Sequence, residues 1–334
     1  HYILQNRSED AINVLRIARK QHPNSSELTI KKAEIELFSG RYNDALVDLT
    51  SVEAYERNNP DFYLVKGKTL MATGKTDEAL AMFDQVLLKS TDQKLDMLFE
   101  VVAILEEYDE FEIACKYLKM GIELDPSNTQ TYGELGFIQE KLNRTEEAIE
   151  AYEKMLDGDP FLPFGWSNLG TLYAKLGKND KAIEAFDYAI ALEPDAPLSY
   201  FSKANALANI GRFEEALTVF FEYADMEEDT AMAMCCIGEC YEKLGDYENA
   251  RIYYQKSLDS NSENPDALYG LAVVELEFDR VDESYELATK AIELDPNIPE
   301  YWFGLGKLNM RLNRLDEAKA AFEQLKTPVR STST

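Results

Sequence analysis

The feature that most constrains the fold is a repeat of 34 residues that runs through almost the whole chain. A small residue marks each later period, at Gly136, Gly170, Ala204, Gly238, Ala272 and Gly306. Upstream, Ala33, Gly67 and Val102 continue the series, the last displaced by one extra residue. A fixed period of this length is typical of repeat proteins, in which each unit stacks on its neighbours. The repeat therefore outweighs the length, which alone would suggest about two domains.

Each period predicts a helical hairpin. In the clearest unit, one apolar stripe with helical spacing consists of Trp166, Leu169, Gly170 and Tyr173. Ala182 and Phe186 follow at the places of a second helix. Between the two helices lies a residue that tolerates a positive φ, namely Gly40, Gly74, Asp109, Asn143, Gly177, Gly211, Gly245, Asp279 or Asn313. One hairpin cannot bury its apolar face alone, so the sequence predicts an all-α solenoid of stacked hairpins.

The repeat also predicts where the units begin and end. Ala11, Leu15 and Ala18 occupy second-helix places, so residues 1-24 are predicted to be a truncated repeat with only its second helix. Residues 25-326 hold nine tandem units of one continuous solenoid, and residues 327-334 are predicted to be a disordered tail. We therefore expect a fragment of a longer array, with exposed apolar ends through which the chain could form a homodimer.

The clearest unit, Pro163 to Ala196, carries a specific pattern. Trp166, Leu169, Gly170, Tyr173, Ala182, Phe186 and Pro194 match W-x2-L-G-x2-Y, then A-x3-F, then P. Over essentially its whole length the chain thus resembles the tetratricopeptide repeat (TPR) family, in the manner of tandem-repeat TPR proteins of the bacterial type. The resemblance implies a right-handed superhelix whose first helices line a concave groove for peptides or partner helices.

Transferred to this chain, the groove implied by the resemblance has aromatic, aliphatic, polar and charged members. We expect partner-binding residues at Leu64, Lys68, Phe99, Glu134, Phe137, Phe164, Asn168, Phe201, Asn205, Met232, Glu239, Tyr269, Phe303 and Lys307. Each aromatic side chain could equally pad the adjoining helices. An excess of acids along the same helices favours a cationic or apolar partner over an anionic one.

Two known TPR binding modes do not match these residues. A carboxylate clamp needs Lys and Asn on one groove helix, but Asn205 is paired with Phe201 and followed by Cys236. An asparagine ladder needs Asn at one place in successive units, and only Asn168 holds it. The resemblance therefore predicts a groove without predicting its ligand.

Composition excludes several functional classes. The net charge of -28 leaves no basic stripe for a phosphate backbone, so we expect no nucleic-acid partner. No apolar run is long enough for a membrane helix, and we expect no membrane partner. With two histidines and no phosphate loop, nucleophile elbow or HExxH motif, we expect no enzyme, no cofactor and no metal site.

The four cysteines leave one alternative open. Cys115, Cys235, Cys236 and Cys240 are too few for a disulfide scaffold, which favours a reducing compartment and a cytoplasmic location. Cys236 and Cys240 lie one helical turn apart, so a thiolate metal or redox site competes with simple packing of small apolar side chains.

The sequence thus predicts a non-catalytic scaffold for protein interaction. The alternative is a structural spacer or regulatory arm of a larger assembly or enzyme, because a solenoid can act through its length alone.

Overall fold

The computed structural model describes residues 8–23, 25–227 and 230–325. Regular structure in these residues is entirely α-helical. The chain divides between Asp159 and Pro160 into an N-terminal unit and a C-terminal unit. The helices of the N-terminal unit are α1 (Ser8–Gln21), α2 (Ser26–Phe38), α3 (Tyr42–Val52), α4 (Pro60–Ala72), α5 (Thr76–Lys89), α6 (Lys94–Glu107), α7 (Phe111–Leu124), α8 (Thr129–Lys141) and α9 (Thr145–Gly158).

The C-terminal unit continues the same alternation of first and second helices. Its helices are α10 (Pro163–Lys175), α11 (Asn179–Leu192), α12 (Pro197–Asn209), α13 (Phe213–Ala224), α14 (Ala231–Lys243), α15 (Tyr247–Ser260), α16 (Pro265–Glu277), α17 (Val281–Leu294), α18 (Pro299–Arg311) and α19 (Leu315–Gln324). The prediction of an all-α solenoid of tandem hairpins is confirmed. The superhelical hand and the continuity of one solenoid stay predictions. The predicted tail, 327-334, and residues 1-7 of the truncated repeat lie outside the described residues.

The turn between the two helices of each hairpin has the predicted backbone. Gly40, Gly74, Gly177, Gly211 and Gly245 have φ between 70° and 79°. The other turns place Asp109, Asn143, Asp279 and Asn313 at φ between 56° and 62°. Asp and Asn are the non-glycine residues that reach this left-handed region most easily, so the same short turn recurs with three residue types.

Helix starts follow from local chemistry. Asn59, Asn128 and Asn264 each accept backbone N–H bonds at the first turns of α4, α8 and α16. Proline is the first residue of α4, α10, α12, α16 and α18, where its missing N–H is not needed. In the C-terminal unit the indole N–H of Trp166 donates to the carbonyl of Pro160 at 2.8 Å, which ties α10 to the preceding loop. Trp302 repeats the same bond to Pro296.

The core lies between the helices of each hairpin and between successive hairpins. A Cβ added at Gly170 would stand 2.7 Å from the ring of Phe186, so only glycine allows α10 and α11 to pack this closely. Ala182 is fully buried at the same crossing. First helices also contact one another, α2 with α4 and α4 with α6 in the N-terminal unit, and α10, α12, α14 and α16 in sequence in the C-terminal unit. Their remaining side forms one surface in each unit.

Candidate functional site

We call that surface the first-helix face, and describe it separately for the two units. In the C-terminal unit it is carried by α10, α12, α14, α16 and α18, and in the N-terminal unit by α2, α4, α6 and α8. Side-chain hydrogen bonds connect neighbouring first helices. The Ser167 and Ser199 hydroxyls lie 2.7 Å apart between α10 and α12, and the Tyr301 hydroxyl of α18 donates to Asp266 of α16.

One position of the C-terminal face presents large apolar side chains to solvent. It lies six residues before the small residue of each repeat, and we call its occupants the lead row: Phe164, Leu198, Met232, Asp266 and Glu300. The first three side chains are 52%, 76% and 56% exposed. Asp266 and Glu300 are exposed as well. The row is therefore apolar over α10, α12 and α14 and acidic over α16 and α18.

The equivalent position of the N-terminal face is polar throughout. Its occupants are Glu27, Asp61, Asp96 and Gln130, all exposed. The hairpin fold thus accepts acids and amides at this position. The apolar residues of the C-terminal lead row are consequently not demanded by helix packing.

The predicted binding residues of the N-terminal unit differ in accessibility. Leu64 and Phe99 are half-buried and pack against the core. Phe137 is 39% exposed, with the Lys141 ammonium 5.0 Å from its ring centroid. The Lys68 ammonium forms an ion pair with Glu107 at 2.7 Å. Of the apolar candidates in this unit, Phe137 is the side chain that reaches solvent.

In the C-terminal unit, Phe164, Met232 and Phe303 are exposed. Phe201 is half-buried between the rings of Phe220 and Tyr223, with centroids 5.8 and 5.2 Å away. Tyr269 is likewise half-buried, and its ring packs on Tyr301 at 4.8 Å. Phe201 and Tyr269 therefore pack against adjoining helices, while part of each side chain stays accessible.

The remaining predicted residues of this unit are polar. Asn168 and Asn205 are half-buried on α10 and α12, whereas Glu239 and Lys307 reach solvent on α14 and α18. The Lys307 ammonium lies 4.8 Å from the ring centroid of Phe303. No bound partner tests any of these assignments, and the groove stays a prediction.

Acids on both faces sit in surroundings that disfavour their charge. Burial raises the pKa of Glu134 on α8, and burial with the nearby Glu134 carboxylate raises the pKa of Glu106 on α6. In the C-terminal unit, burial raises the pKa of Glu239, Lys243 partly offsets this rise, and Glu242 and Asp266 add to it. A positive charge brought to either place would favour the ionised carboxylates.

A tyrosine hydroxyl reaches a glutamate at one equivalent place in each unit. Tyr152 donates to Glu140 at 2.7 Å, and Tyr254 donates to Glu242 at 2.9 Å. Burial, followed by the negative charge of Glu242, raises the pKa of Tyr254, which holds its hydroxyl as a donor. In the repeat that contains Phe186, the position equivalent to these glutamates is Ala174. Tyrosine and its acceptor thus occur together.

The cysteines lie within the helix packing. Cys115, Cys235 and Cys240 are buried, and Cys236 is half-buried. Burial, with Glu239 nearby, raises the pKa of Cys236 and Cys240 to about 12, and burial also raises the pKa of Cys235. In residues 8–23, 25–227 and 230–325, no group of three or more His, Cys, Asp or Glu side chains is arranged to hold a metal ion. Full or partial burial of the three thiols on α14 agrees with their serving as small apolar side chains in the helix packing.

Leu198 is the functional candidate that the sequence reasoning missed. It follows Pro197 in the first turn of α12 and is 76% exposed. The available signal was its register, because it lies midway between Phe164 and Met232 in the repeat. None of the described helices is long and apolar enough to cross a bilayer.

Comparison with known proteins agrees with the repeat. Three family models, each described as a tetratricopeptide repeat, match the chain. The first matches residues 167–233, 237–299 and 269–330, the second matches residues 36–98, and the third matches residues 129–160. Together these matches cover more than half of the chain. No curated protein sequence matches.

Several solved structures are similar to this chain in fold. A crystal structure of MamA is 21% identical with a TM-score of 0.50, and the match covers 52% of this chain and 94% of MamA. TTC0263, a thermophilic TPR protein of Thermus thermophilus, is 22% identical with a TM-score of 0.44, covering 55% and 100% of the two chains. YrrB, described as a TPR protein with an unusual peptide-binding site, is 17% identical with a TM-score of 0.42, covering 53% and 91%. With the recurrent hairpins and the family matches along both units, the chain belongs to the tetratricopeptide repeat family.

Proposed function

We propose that this protein is a non-catalytic scaffold that binds a segment of another protein on the first-helix face. The observation that carries the proposal is the exposed apolar part of the lead row, Phe164, Leu198 and Met232, which the fold does not require. Large exposed apolar side chains that recur at one position of three successive first helices are typical of an interaction surface. Membership of a family that is generally non-catalytic supports the absence of an enzymatic role.

The partner surface that fits this face is apolar and basic. Helices α14, α16 and α18 carry the acids Glu239, Glu242, Asp266, Glu277 and Glu300 against the bases Lys243, Lys307 and Arg311. Arg311 is paired with Asp279, and Lys243 lies 3.4 Å from Glu242. This excess of acids selects cationic partners and repels nucleic acid. We place the interaction in the cytoplasm, where four free thiols are compatible with the reducing conditions.

Affinity capture with matched variants tests the proposal. The bait is the wild-type chain, a triple variant Phe164→Gln, Leu198→Asp, Met232→Asp, and the control Ile252→Asp on the second helix α15, where Ile252 is 49% exposed. We expect a saturable partner that the wild type and the control retain and the triple variant loses. Equal capture by all three would place binding elsewhere, and no saturable partner would favour the spacer or regulatory-arm alternative.

A second surface supports self-association. On α18 and α19, Met310 and Leu315 are 57% and 64% exposed and border one apolar depression with Phe322. We propose that two copies pair through this end. Sedimentation of the wild type against Leu315→Glu tests it, since a dimer that persists in the variant, or a wild-type monomer at high concentration, contradicts the pairing.

A further inference from the structure

The lead row of the C-terminal unit is divided by chemistry along its length. Phe164, Leu198 and Met232 precede Asp266 and Glu300 without any mixing of the two kinds. We infer that the partner segment carries its apolar and basic side chains in two separate blocks, the apolar block on α10, α12 and α14 and the basic block on α16 and α18. This inference rests on the proposed function and specifies the order of residues in its ligand.

The apolar half offers burial that the chain itself does not supply. Leu198 is 76% exposed, although the same helix buries Ala204 and Leu207 in the core. The core side of α12 is therefore complete without it. Covering a leucine, a methionine and a phenylalanine removes apolar surface from water at each of three successive hairpins, which is the usual source of lasting affinity.

The acidic half is adapted to a cation. The charges of Glu242 on α14 and Glu300 on α18 both act on Tyr269, whose pKa they raise after the larger effect of burial. Asp266 accepts the hydroxyl of Tyr301, and the rings of Tyr269 and Tyr301 pack together. A Lys or Arg side chain placed here meets the exposed carboxylates of Asp266 and Glu300, which attract a positive charge.

Spacing indicates the form of the segment. Packed helices lie about 8–10 Å apart, so five successive first helices extend the row over roughly 32–40 Å. A helical ligand rises about 1.5 Å per residue and therefore passes one first helix in about five to seven residues. Within this range, a spacing of seven residues is close to two turns, which returns each anchoring side chain to the same side of the ligand. The row thus fits an amphipathic helix with one anchor every seven residues, three apolar and two basic.

Two synthetic helical peptides of equal composition test the order. Both carry anchors at seven-residue intervals; the block peptide has Leu, Leu, Leu, Lys, Lys, and the interleaved peptide has Leu, Lys, Leu, Lys, Leu. Interleaving is the right control, because a peptide can lie along the row in either direction and a reversed sequence would still match. Fluorescence anisotropy with the full chain gives both dissociation constants.

We expect the block peptide to bind at least about tenfold more tightly than the interleaved one. Leu198→Asp should weaken the block peptide about tenfold, and Glu300→Gln several-fold with a shallower dependence on salt. Ile252→Asp should leave both affinities unchanged, and circular dichroism of each variant establishes that it is folded.

The outcomes separate this inference from the proposed function. Equal affinity of the two peptides, with both lost in Leu198→Asp, overturns the block order but keeps the first-helix face as the binding surface. Binding that Leu198→Asp and Glu300→Gln both leave intact, or no binding of the block peptide, overturns the inference, and the affinity capture then decides the proposed function independently.

Discussion

The same repeat position is polar throughout the N-terminal unit, whereas in the C-terminal unit it is apolar on α10, α12 and α14 and acidic on α16 and α18. In the N-terminal unit, Asp61 and Asp96 occupy it, whereas in the C-terminal unit Leu198 and Met232 occupy it, all exposed. Around this position the hairpins are alike, with fully buried Ala148 in one unit and Ala182 in the other. The difference teaches that core and surface are specified separately in a repeat protein. Buried positions that both units share keep the hairpins packed, whereas the exposed position determines whether each surface is polar or apolar.

The largest effect should be the same in both units. We expect Ala148→Glu and Ala182→Glu each to lower the free energy of unfolding by about 3 kcal/mol or more, since each forces a charge and extra volume into a helix crossing that is fully buried. Urea denaturation followed by circular dichroism measures both. The prediction is contradicted if one variant unfolds at the same urea concentration as the wild type while the other does not fold, because the helix crossings of the two units would then not be equivalent.

The next effect concerns the two hydroxyls that face glutamates. Tyr152→Phe and Tyr254→Phe should each cost about 1 kcal/mol of stability, because Glu140 and Glu242 each lose a donor. The matched reverse change, Phe186→Tyr, adds a hydroxyl in a repeat whose glutamate position holds Ala174, and should also destabilise. Thermal unfolding of the three variants checks this, and a stabilised Tyr254→Phe would contradict the assigned bond.

A smaller effect depends on pH and should occur in both units. The pKa values of Glu134 and Glu239 in the native chain are raised above the ordinary value of 4.5. At pH values between 4.5 and these raised pKa values, the native chain therefore binds more protons than the unfolded chain. Stability contributed by these two groups is therefore present below pH 4.5 and is lost as the pH rises through their native pKa values. Glu134→Gln and Glu239→Gln should each reduce the change in unfolding free energy over this pH range by less than about 1 kcal/mol. Denaturation at several pH values checks it, and an unchanged slope would contradict the shifts.

The smallest effect is expected where the two units differ most. Leu198→Asp gives the C-terminal lead row the residue type of the N-terminal unit and should change the free energy of unfolding by no more than about 0.5 kcal/mol. The same measurement on Leu207→Asp, in the buried core of α12, serves as the contrast and should show a large loss. Strong destabilisation by Leu198→Asp would mean that the lead row belongs to the core after all.

The fold could be predicted from the sequence because the hairpin depends on contacts that recur at one spacing. Gly170 and Ala182 must be small wherever the helices cross, and the turn needs a residue such as Gly177 or Asn143 with a positive φ. Such demands repeat in every period, so they remain visible without a structure. The tolerance of Asp109 and Asp279 in the same turn was predictable for the same reason.

The candidate site could be predicted only in part, because exposure depends on side chains from neighbouring repeats. Register alone predicted Phe201 as a groove residue, but it could not show that Phe220 and Tyr223 pack on its ring and leave it half-buried. Leu198 was missed because its exposure shows only once α12 is packed. Buried Glu275 was equally unexpected from its apolar surroundings, and its ion pairs with Arg251 and Arg280 explain it.

The protonated cysteines have a consequence for labelling chemistry. Because only the thiolate reacts with maleimides, a pKa of about 12 leaves roughly one molecule in 10⁵ of Cys236 or Cys240 reactive at neutral pH. A thiol introduced by Leu198→Cys, at a position that is 76% exposed, would react far faster than either. A fluorophore or spin label could then be attached at position 198 in the presence of the native cysteines. The label would detect changes at the lead row while the native thiols stay unmodified.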